Sequence, residues 1–353
     1  MENHEFYMKR CIELAKNGLG TTYPNPLVGS VIVYDGKIIG EGWHKKAGEA
    51  HAEVNAVNSV KDKTLLEKAT IYVSLEPCSH YGKTPPCCDL IIAHNIPNVI
   101  IGTIDPFAKV AGNGIKRLLE AGKKINIGVF EEECNALNKR FFTFHKKQRP
   151  YIILKWAESK DGFIAPNKTQ RETEQEKLSP VWITNSYSRQ LVHKWRTEEQ
   201  AILVGTTTVL EDNPKLDARD FKGNHPTRVI LDRNNTVSDS FHIKDNQRKT
   251  VIYTETNNLT NSSNIIYEKI NFNDNFLLNL TKNLHKKEVQ SIIIEGGSKT
   301  LQTFIDSNLW DEARVFIGNS LLKSGIKAPV LKRTAKKSIS IMNDEIKFFE
   351  NYD

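Results

Sequence analysis

The chain has 353 residues, 39% of them hydrophobic and 26% charged, a composition that excludes wholesale disorder. At roughly 150 residues per domain it predicts two domains. The net charge of +7 is spread over scattered lysines with no long basic run, so it suits an enzyme of anionic small molecules as readily as a nucleic-acid partner. No apolar run approaches the ~18 residues that cross a bilayer. Met1-Glu2-Asn3-His4-Glu5 opens acidic and polar rather than as a secretory leader, so a cytoplasmic location is expected.

Residues Tyr7 to Asn17 carry apolar side chains at helical spacing and end at Gly18. Val28 to Val33 and Lys37 to Gly42 predict a hairpin around the turn dipeptide Asp35-Gly36. A helix is expected over Ala52 to Val60, strands over Thr70 to Leu75 and Val99 to Ile104, and a helix over Gly112 to Ala121 that closes at Gly122. The charged, proline-terminated segment from His145 to Pro150 marks a boundary, which divides the chain into residues 1–147 and 148–353. Beyond it, Tyr151 to Lys155, Ala201 to Val204, Thr227 to Leu231, Thr250 to Tyr253 and Ser291 to Glu295 read as strands, the last four buried on both faces. Two polar stretches, Pro166 to Pro180 and Glu255 to Asn264, read as surface loops.

Of the five cysteines, Cys11 and Cys134 stand alone while Cys78, Cys87 and Cys88 cluster, which favours a metal site over a disulfide scaffold. His51-Ala52-Glu53 is followed by Glu76-Pro77-Cys78 and then by Cys87. Two thiolates and an imidazole suit zinc and leave a fourth position for water, which ionises near neutral pH. Glu53, beside His51 at the start of a helix, is placed to carry protons from that water to a departing nitrogen. His-x-Glu followed by Pro-Cys is the signature of zinc deaminases. Cys87 is the assigned third ligand, with its neighbour Cys88 as a substitute or as a fourth ligand of a purely structural site.

Deaminases of nucleic-acid bases usually place their two cysteines two residues apart. Here Ser79-His80-Tyr81-Gly82-Lys83-Thr84-Pro85-Pro86 fills the gap. With Thr22-Tyr23-Pro24-Asn25-Pro26-Leu27-Val28-Gly29 and Gly42-Trp43-His44, this segment resembles the bifunctional diaminohydroxyphosphoribosylaminopyrimidine deaminase and 5-amino-6-(5-phosphoribosylamino)uracil reductase family of riboflavin biosynthesis. The resemblance covers nearly the whole chain. It implies zinc on His51, Cys78 and Cys87, proton transfer by Glu53, and Asn25, His44, His80, Lys83 and Asp105 near the pyrimidine and its phosphoribosyl tail. The family's asparagine after Asp105-Pro106 is Phe107 here.

In the second half, Ser291 to Glu295 runs into Gly296-Gly297-Ser298 and a helix, an arrangement that lets an anion approach backbone N–H groups. Neither this glycine pair nor Gly112-Asn113-Gly114 meets the Rossmann template, so a Rossmann domain is not expected. Trp182-Ile183-Thr184 begins a helical stretch that carries Arg196, and Arg196 and Arg219 have the planar fork that clamps a phosphate. The resemblance implies a reductase domain related to dihydrofolate reductase, with NADPH against Ala157, Trp182, Thr208, Asp212, Arg233 and the loop Gly297, Ser298, Lys299, Thr300, Leu301, Gln302 and Thr303. Substrate is implied against Arg196, Leu216, Arg219, Glu295 and Lys155, with Asp161 close by. Pro180 replaces the family's usual serine, and the loop from Pro166 to Leu178 lacks its short glycine turn.

The expectation is therefore an α/β protein, a cytidine-deaminase-like three-layer domain followed by a dihydrofolate-reductase-like domain. Zinc-activated water would deaminate a phosphorylated pyrimidine, and NADPH would then reduce its ribosyl group to a ribityl chain. The resemblance further implies a homo-oligomer formed through the reductase domain, with no nucleic-acid or membrane partner. The rival readings are a nucleic-acid base deaminase with a basic C-terminal domain and a non-catalytic protein with structural zinc.

Overall fold

The computed structural model describes residues 3–81, 85–106, 112–167 and 181–352. Lys83, Phe107, Pro180 and most of the 166–180 stretch lie outside them. The chain divides into two compact units, residues 1–148 and 149–353.

The first unit runs α1 (His4–Ala15), β1 (Gly29–Tyr34), β2 (Lys37–Trp43), α2 (Ala52–Ser59), β3 (Thr70–Leu75), α3 (Cys87–Ala93), β4 (Asn98–Thr103), α4 (Asn113–Glu120), β5 (Lys124–Ile127), α5 (Glu131–Leu137) and α6 (Lys139–Lys147). Its five-stranded sheet has the order β2-β1-β3-β4-β5, antiparallel across β2-β1-β3 and parallel from β3 to β5. The hairpin turns where expected. Asp35 and Gly36 both have left-handed φ, 49° and 69°, as a two-residue turn matched to strand twist requires.

Alternation along the strands sends side chains to opposite faces. Ile71, Val73, Val99 and Ile101 pack with Ala56, Val57, Ile91 and Leu118 of α2 to α4, whereas Tyr72, Ile100, Val31 and Val33 meet Tyr7, Met8, Cys11 and Cys134 of α1 and α5. The result is the expected three-layer sandwich. Two glycines permit its close approaches. A Cβ on Gly42 would lie 2.4 Å from the Ala56 nitrogen and 2.6 Å from the Ala52 oxygen, so β2 can touch α2 only without a side chain there. A Cβ on Gly114 would lie 2.1 Å from the Pro77 carbonyl oxygen, which brings α4 against the segment that bears Cys78.

The second unit runs β6 (Tyr151–Glu158), β7 (Phe163–Ala165), α7 (Ser186–Glu198), β8 (Ala201–Gly205), α8 (Thr206–Asp212), β9 (Thr227–Leu231), β10 (Thr250–Thr254), β11 (Ile265–Lys269), α9 (Phe276–Lys286), β12 (Ser291–Gly296), α10 (Ser298–Asp306), β13 (Glu312–Ile317), β14 (Ile326–Lys327), β15 (Lys337–Ile341) and β16 (Asp344–Glu350). Nine strands form one sheet in the order β11-β10-β9-β8-β12-β6-β13-β16-β15, parallel until the antiparallel pair β16 and β15. Leu203, Val229, Ile292 and Ile294 face Leu280, Leu301 and Phe304 of α9 and α10 on one side. On the other, Ile153 and Ile293 pack with Val192 and Trp195 of α7, and Ile202, Val204 and Ile230 with Val209 of α8. Burial on both faces explains the unbroken apolar runs of β8 and β12. The helix expected from Trp182 begins instead at Ser186, because the Asn185 side chain caps it by accepting from the Ser188 N–H.

Replacing Gly42 by Ala is expected to destabilise the first unit by about 1–3 kcal/mol, since the methyl group must displace backbone. The check is the urea midpoint at which the full chain releases bound zinc, which should fall.

Candidate active sites in the two units

In the first unit, β3 ends at Leu75 and the chain turns through Glu76-Pro77-Cys78 toward the start of α2, where His51 is the residue before the first helical turn. His51 Nδ1 lies 3.6 Å from Cys78 Sγ and 3.3 Å from Cys87 Sγ. These are close to the edges, roughly 3.5 Å, of a tetrahedron whose metal bonds are about 2.0–2.3 Å. The three ligand atoms form the metal-competent cluster found among the described residues, all within 4.8 Å of one another. Cys88, the alternative, is not part of it. Its Sγ donates to the carbonyls of Pro77 and Gly114 at 3.3 and 3.5 Å, and the side chain is buried in the core below α3. With Cys88 turned away, the cluster has three protein ligands, the pattern of a catalytic site that keeps a position open.

The site's charges are set by hydrogen bonding and burial. The Cys78 thiol is pushed down to about 4, first by the hydrogen bond it receives from Cys87, then by His51 and the Cys87 backbone N–H, all against the effect of burial. The Cys87 thiol, which gives that hydrogen bond, is raised. His51 is raised, chiefly by its bond with Cys78. The Glu53 carboxyl, 3% exposed, is pushed up to about 7 by burial and by the neighbouring Cys78, with His51 opposing. A carboxyl at that value both accepts and gives a proton near neutrality.

Around the cluster, Asn25 Nδ2 stands 3.0 Å from His44 Nε2, and His44 Nδ1 is 3.1 Å from the Ala50 carbonyl oxygen. The His44 ring meets His51 edge-on at 5.5 Å, so Asn25 and His44 border the cluster. Burial lowers the pKa of His44. Asp105 is buried just past β4, while His80 is exposed on the loop between the cysteines.

Two residues that the sequence reading left without a role build this site. Glu76 accepts the backbone N–H groups of Gly112, Gly114, Ile115 and Asp105 at 2.9–3.4 Å, which places a carboxylate at the N-terminus of α4. Arg117 gives one N–H to the Ser79 carbonyl at 3.1 Å and pairs with Asp89 of α3 at 2.6 Å, stapling the two ends of the long gap between the cysteines. Their signals were an acid at a strand end and an arginine one turn into a helix, both too common to single out.

In the second unit, the parallel strands end together, as ligand sites of such sheets require. Glu295, on β12, takes both prongs of Arg196, at 2.9 and 2.6 Å, and lies 3.8 Å from Lys155 Nζ of β6. Burial alone would raise the Glu295 carboxyl, but Arg196 and Lys155 outweigh it and hold it near 2. Burial lowers the Lys155 ammonium despite Glu295. Arg196, expected against the substrate, thus stands beside Glu295 and Lys155, which are expected there too. The fork is closed on Glu295, and the remaining Nη1 donates to the Asp217 carbonyl at 2.9 Å. Arg219 differs, with a side chain 43% exposed and Nη1 on Asp217. Leu216, at a left-handed φ of 48°, is buried beside them.

The nucleotide-side residues are only partly gathered. A Cβ added to Gly296 or Gly297 would lie 3.3 Å from Thr208 Oγ1, and one on Gly205 would lie 2.7 Å from Thr300 Oγ1, so the starts of α8 and α10 close on one another. Asp212 ends α8, and Ala157 sits half-buried on β6. Trp182 is exposed with the Arg189 guanidinium 4.6 Å above its ring, and Arg233 is exposed and paired with Glu255 at 2.8 Å. Asp161 accepts from the Leu322 and Lys323 N–H groups. The 297–303 run expected at the cofactor opens α10, which turns its successive residues to different sides. Leu301 is 1% exposed in the core and its N–H is bound to the Gly297 carbonyl. Gln302 is bound to the Val330 N–H and Thr303 to the Lys299 carbonyl. Gly297, Ser298, Lys299 and Thr300 remain at the helix start.

Residues 1–103 match the cytidine and deoxycytidylate deaminase zinc-binding region, and residues 150–328 match the RibD C-terminal domain. The chain is 37% identical to the riboflavin biosynthesis protein RibD of Aquifex aeolicus, over 98% of each chain. It is 36% identical to that of Escherichia coli, over 91% of this chain and 89% of the relative. The chain belongs to the RibD family. A crystal structure of the Thermotoga maritima diaminohydroxyphosphoribosylaminopyrimidine deaminase/5-amino-6-(5-phosphoribosylamino)uracil reductase superposes with a TM-score of 0.88 at 35% identity, covering 99% of both chains. Acinetobacter baumannii RibD gives 0.85 at 30% identity, again over 99% of both. As a RibD-family enzyme the chain joins a zinc-binding deaminase domain to an NADPH-dependent reductase domain, with zinc and NADPH as cofactors. The family match across the second unit overturns the reading of a nucleic-acid base deaminase with a basic C-terminal domain. No helix among the described residues is long and apolar enough to cross a membrane.

Two outcomes follow from these geometries. Cys87→Ala should lose the metal, whereas Cys88→Ala should keep about one zinc per chain by atomic emission. Glu295→Gln leaves Arg196 and Lys155 without their buried carboxylate and should cost about 3–5 kcal/mol in a denaturant titration. Because the Glu295 pKa is depressed from 4.5 to about 2, its contribution is present above pH 4.5 and lost as pH falls through 2.

Proposed function

We propose that residues 1–147 deaminate 2,5-diamino-6-(5-phosphoribosylamino)pyrimidin-4-one and that residues 148–353 then reduce its ribosyl group to a ribityl chain, the two steps of the riboflavin pathway associated with the family. The observation that carries the reading is the three-ligand cluster with a buried carboxyl of raised pKa beside it.

His51, Cys78 and Cys87 would hold zinc, which when bound supplies the Lewis acidity that makes water a nucleophile near neutral pH. Glu53 takes a proton from that water and hands it to the amino nitrogen leaving C2 as ammonia. Asn25, His44, His80, Lys83 and Asp105 are assigned to the pyrimidine and its phosphoribosyl tail.

In the second domain, NADPH when bound supplies the hydride that ends on C1 of the sugar. Gly297 to Thr303, with Thr208, Asp212, Ala157, Trp182 and Arg233, take the nucleotide. Arg196, Leu216, Arg219, Glu295 and Lys155 take the substrate, with Arg219 facing its phosphate. The protein works in the cytoplasm as a homo-oligomer assembled through its reductase domain.

Glu53→Gln should lower ammonia release by at least about 10²-fold, while reduction of the deaminated substrate proceeds at the parent rate. Ammonia and NADPH absorbance, followed in one cuvette, separate the steps. Equal loss of both would show that the two reactions do not have separate sites.

A further inference from the structure

One face of α7 does more than pack. His193, Arg196 and Thr197 fall at i, i+3 and i+4, a single stripe along the helix. The loop from Leu216 to Gly223 is laid on that stripe at three points. Arg196 Nη1 donates to the Asp217 carbonyl at 2.9 Å, and His193 Nε2 is 3.1 Å from Asp220 Oδ2. Gly223 approaches so closely that a Cβ there would be 2.6 Å from Thr197 Cβ. Between these anchors lies Arg219, the exposed guanidinium of the group.

Packing gives no reason for a histidine at position 193. The residue is 4% exposed, and its Nδ1 is buried without a hydrogen-bond partner. An apolar side chain of similar volume would fill the space without that penalty. What the ring offers is Nε2. With Nδ1 unpaired, the neutral ring carries its proton on Nε2 and donates it to a carboxylate, the stronger kind of hydrogen bond. Burial also lowers the His193 pKa, with Arg196 and Arg219 acting in the same sense and Asp220 and Asp217 against it.

We propose that His193 is a positioning residue for the substrate's phosphate: through Asp220 it holds the 216–223 loop on α7, so that Arg219 is presented to the phosphoribosyl group. The proposal rests on the reading that Arg219 faces that phosphate.

The test is steady-state reduction of 5-amino-6-(5-phosphoribosylamino)uracil by the full-length, zinc-loaded enzyme. His193→Phe should raise KM for the pyrimidine about tenfold, with kcat and the KM for NADPH unchanged. His193→Gln keeps an N–H near the Nε2 position and should return KM to within about threefold of the parent. Asp220→Ala alters a residue whose side chain is 54% exposed, so the fold is spared, and it should reproduce the rise in KM. Arg219→Ala should raise KM by itself, and His193→Phe should add nothing in that background. An Arg219→Ala enzyme with the parent KM would overturn the phosphate reading and the proposal with it. A raised KM for Arg219→Ala beside parent values for His193→Phe and Asp220→Ala would overturn the proposal alone. So would an undiminished His193→Phe effect in the Arg219→Ala background, or an equal rise in the KM for NADPH.

Discussion

A carboxylate buried where a parallel strand ends dictates what is built around it, and both units are organised by that constraint. Leaving such a charge without donors costs several kcal/mol, so the chain must bring donors to it. At the end of β3, Glu76 is answered by four backbone N–H groups, two from the β4–α4 connection and two from the first turn of α4, which fixes the segment that carries Cys78 two residues later. At the end of β12, Glu295 is answered by Arg196 and Lys155, which draws α7 and β6 to the mouth of the sheet. Glu53 is the informative contrast. It is at least as buried as the other two, yet Cys78 beside it adds negative charge and burial dominates, so its carboxyl is pushed up to about 7. Fully satisfied carboxylates hold structure, and the poorly answered one is left able to exchange a proton.

The same distinction separates the two arginines of the reductase unit. Arg196 and Arg219 look alike in sequence as candidates for an anion. In the structure the side chain of Arg196 is 13% exposed and its fork is spent on Glu295, while that of Arg219 is 43% exposed. A guanidinium taken that far from water needs a counter-charge, which Glu295 supplies. Depth, rather than residue type, separates the two arginines.

Much of the first unit was legible because its local signals agree. The Asp35-Gly36 turn, the apolar run of β3 and the glycine after α4 each select one structure, and tertiary packing follows them. The antiparallel strands β15 and β16 went unread. Lys337, Glu345, Lys347 and Glu350 interrupt their apolar residues, and much of β15 is exposed, so no sustained buried run marks them. The start of α7 was misplaced because Trp182 and Ile183 look like the first turn of a helix, whereas the Asn185 cap sets the boundary.

The two sites also differed in legibility, and chemistry explains why. A zinc ion accepts few ligand types at short, fixed distances, so His51, Cys78 and Cys87 leave a mark in the sequence even across a gap of unusual length. An anion site made of backbone N–H groups and the close approach of two helix starts asks only for small residues in the right conformation, which many turns provide. The run from Gly297 to Thr303 shows the limit. A stretch of sequence treats its seven residues as equivalent, but a helix advances 100° per residue, and Leu301 must face the core if α10 is to pack on the sheet. The residues left facing the mouth of the sheet are those the helix does not need for its own burial, and only the fold says which they are.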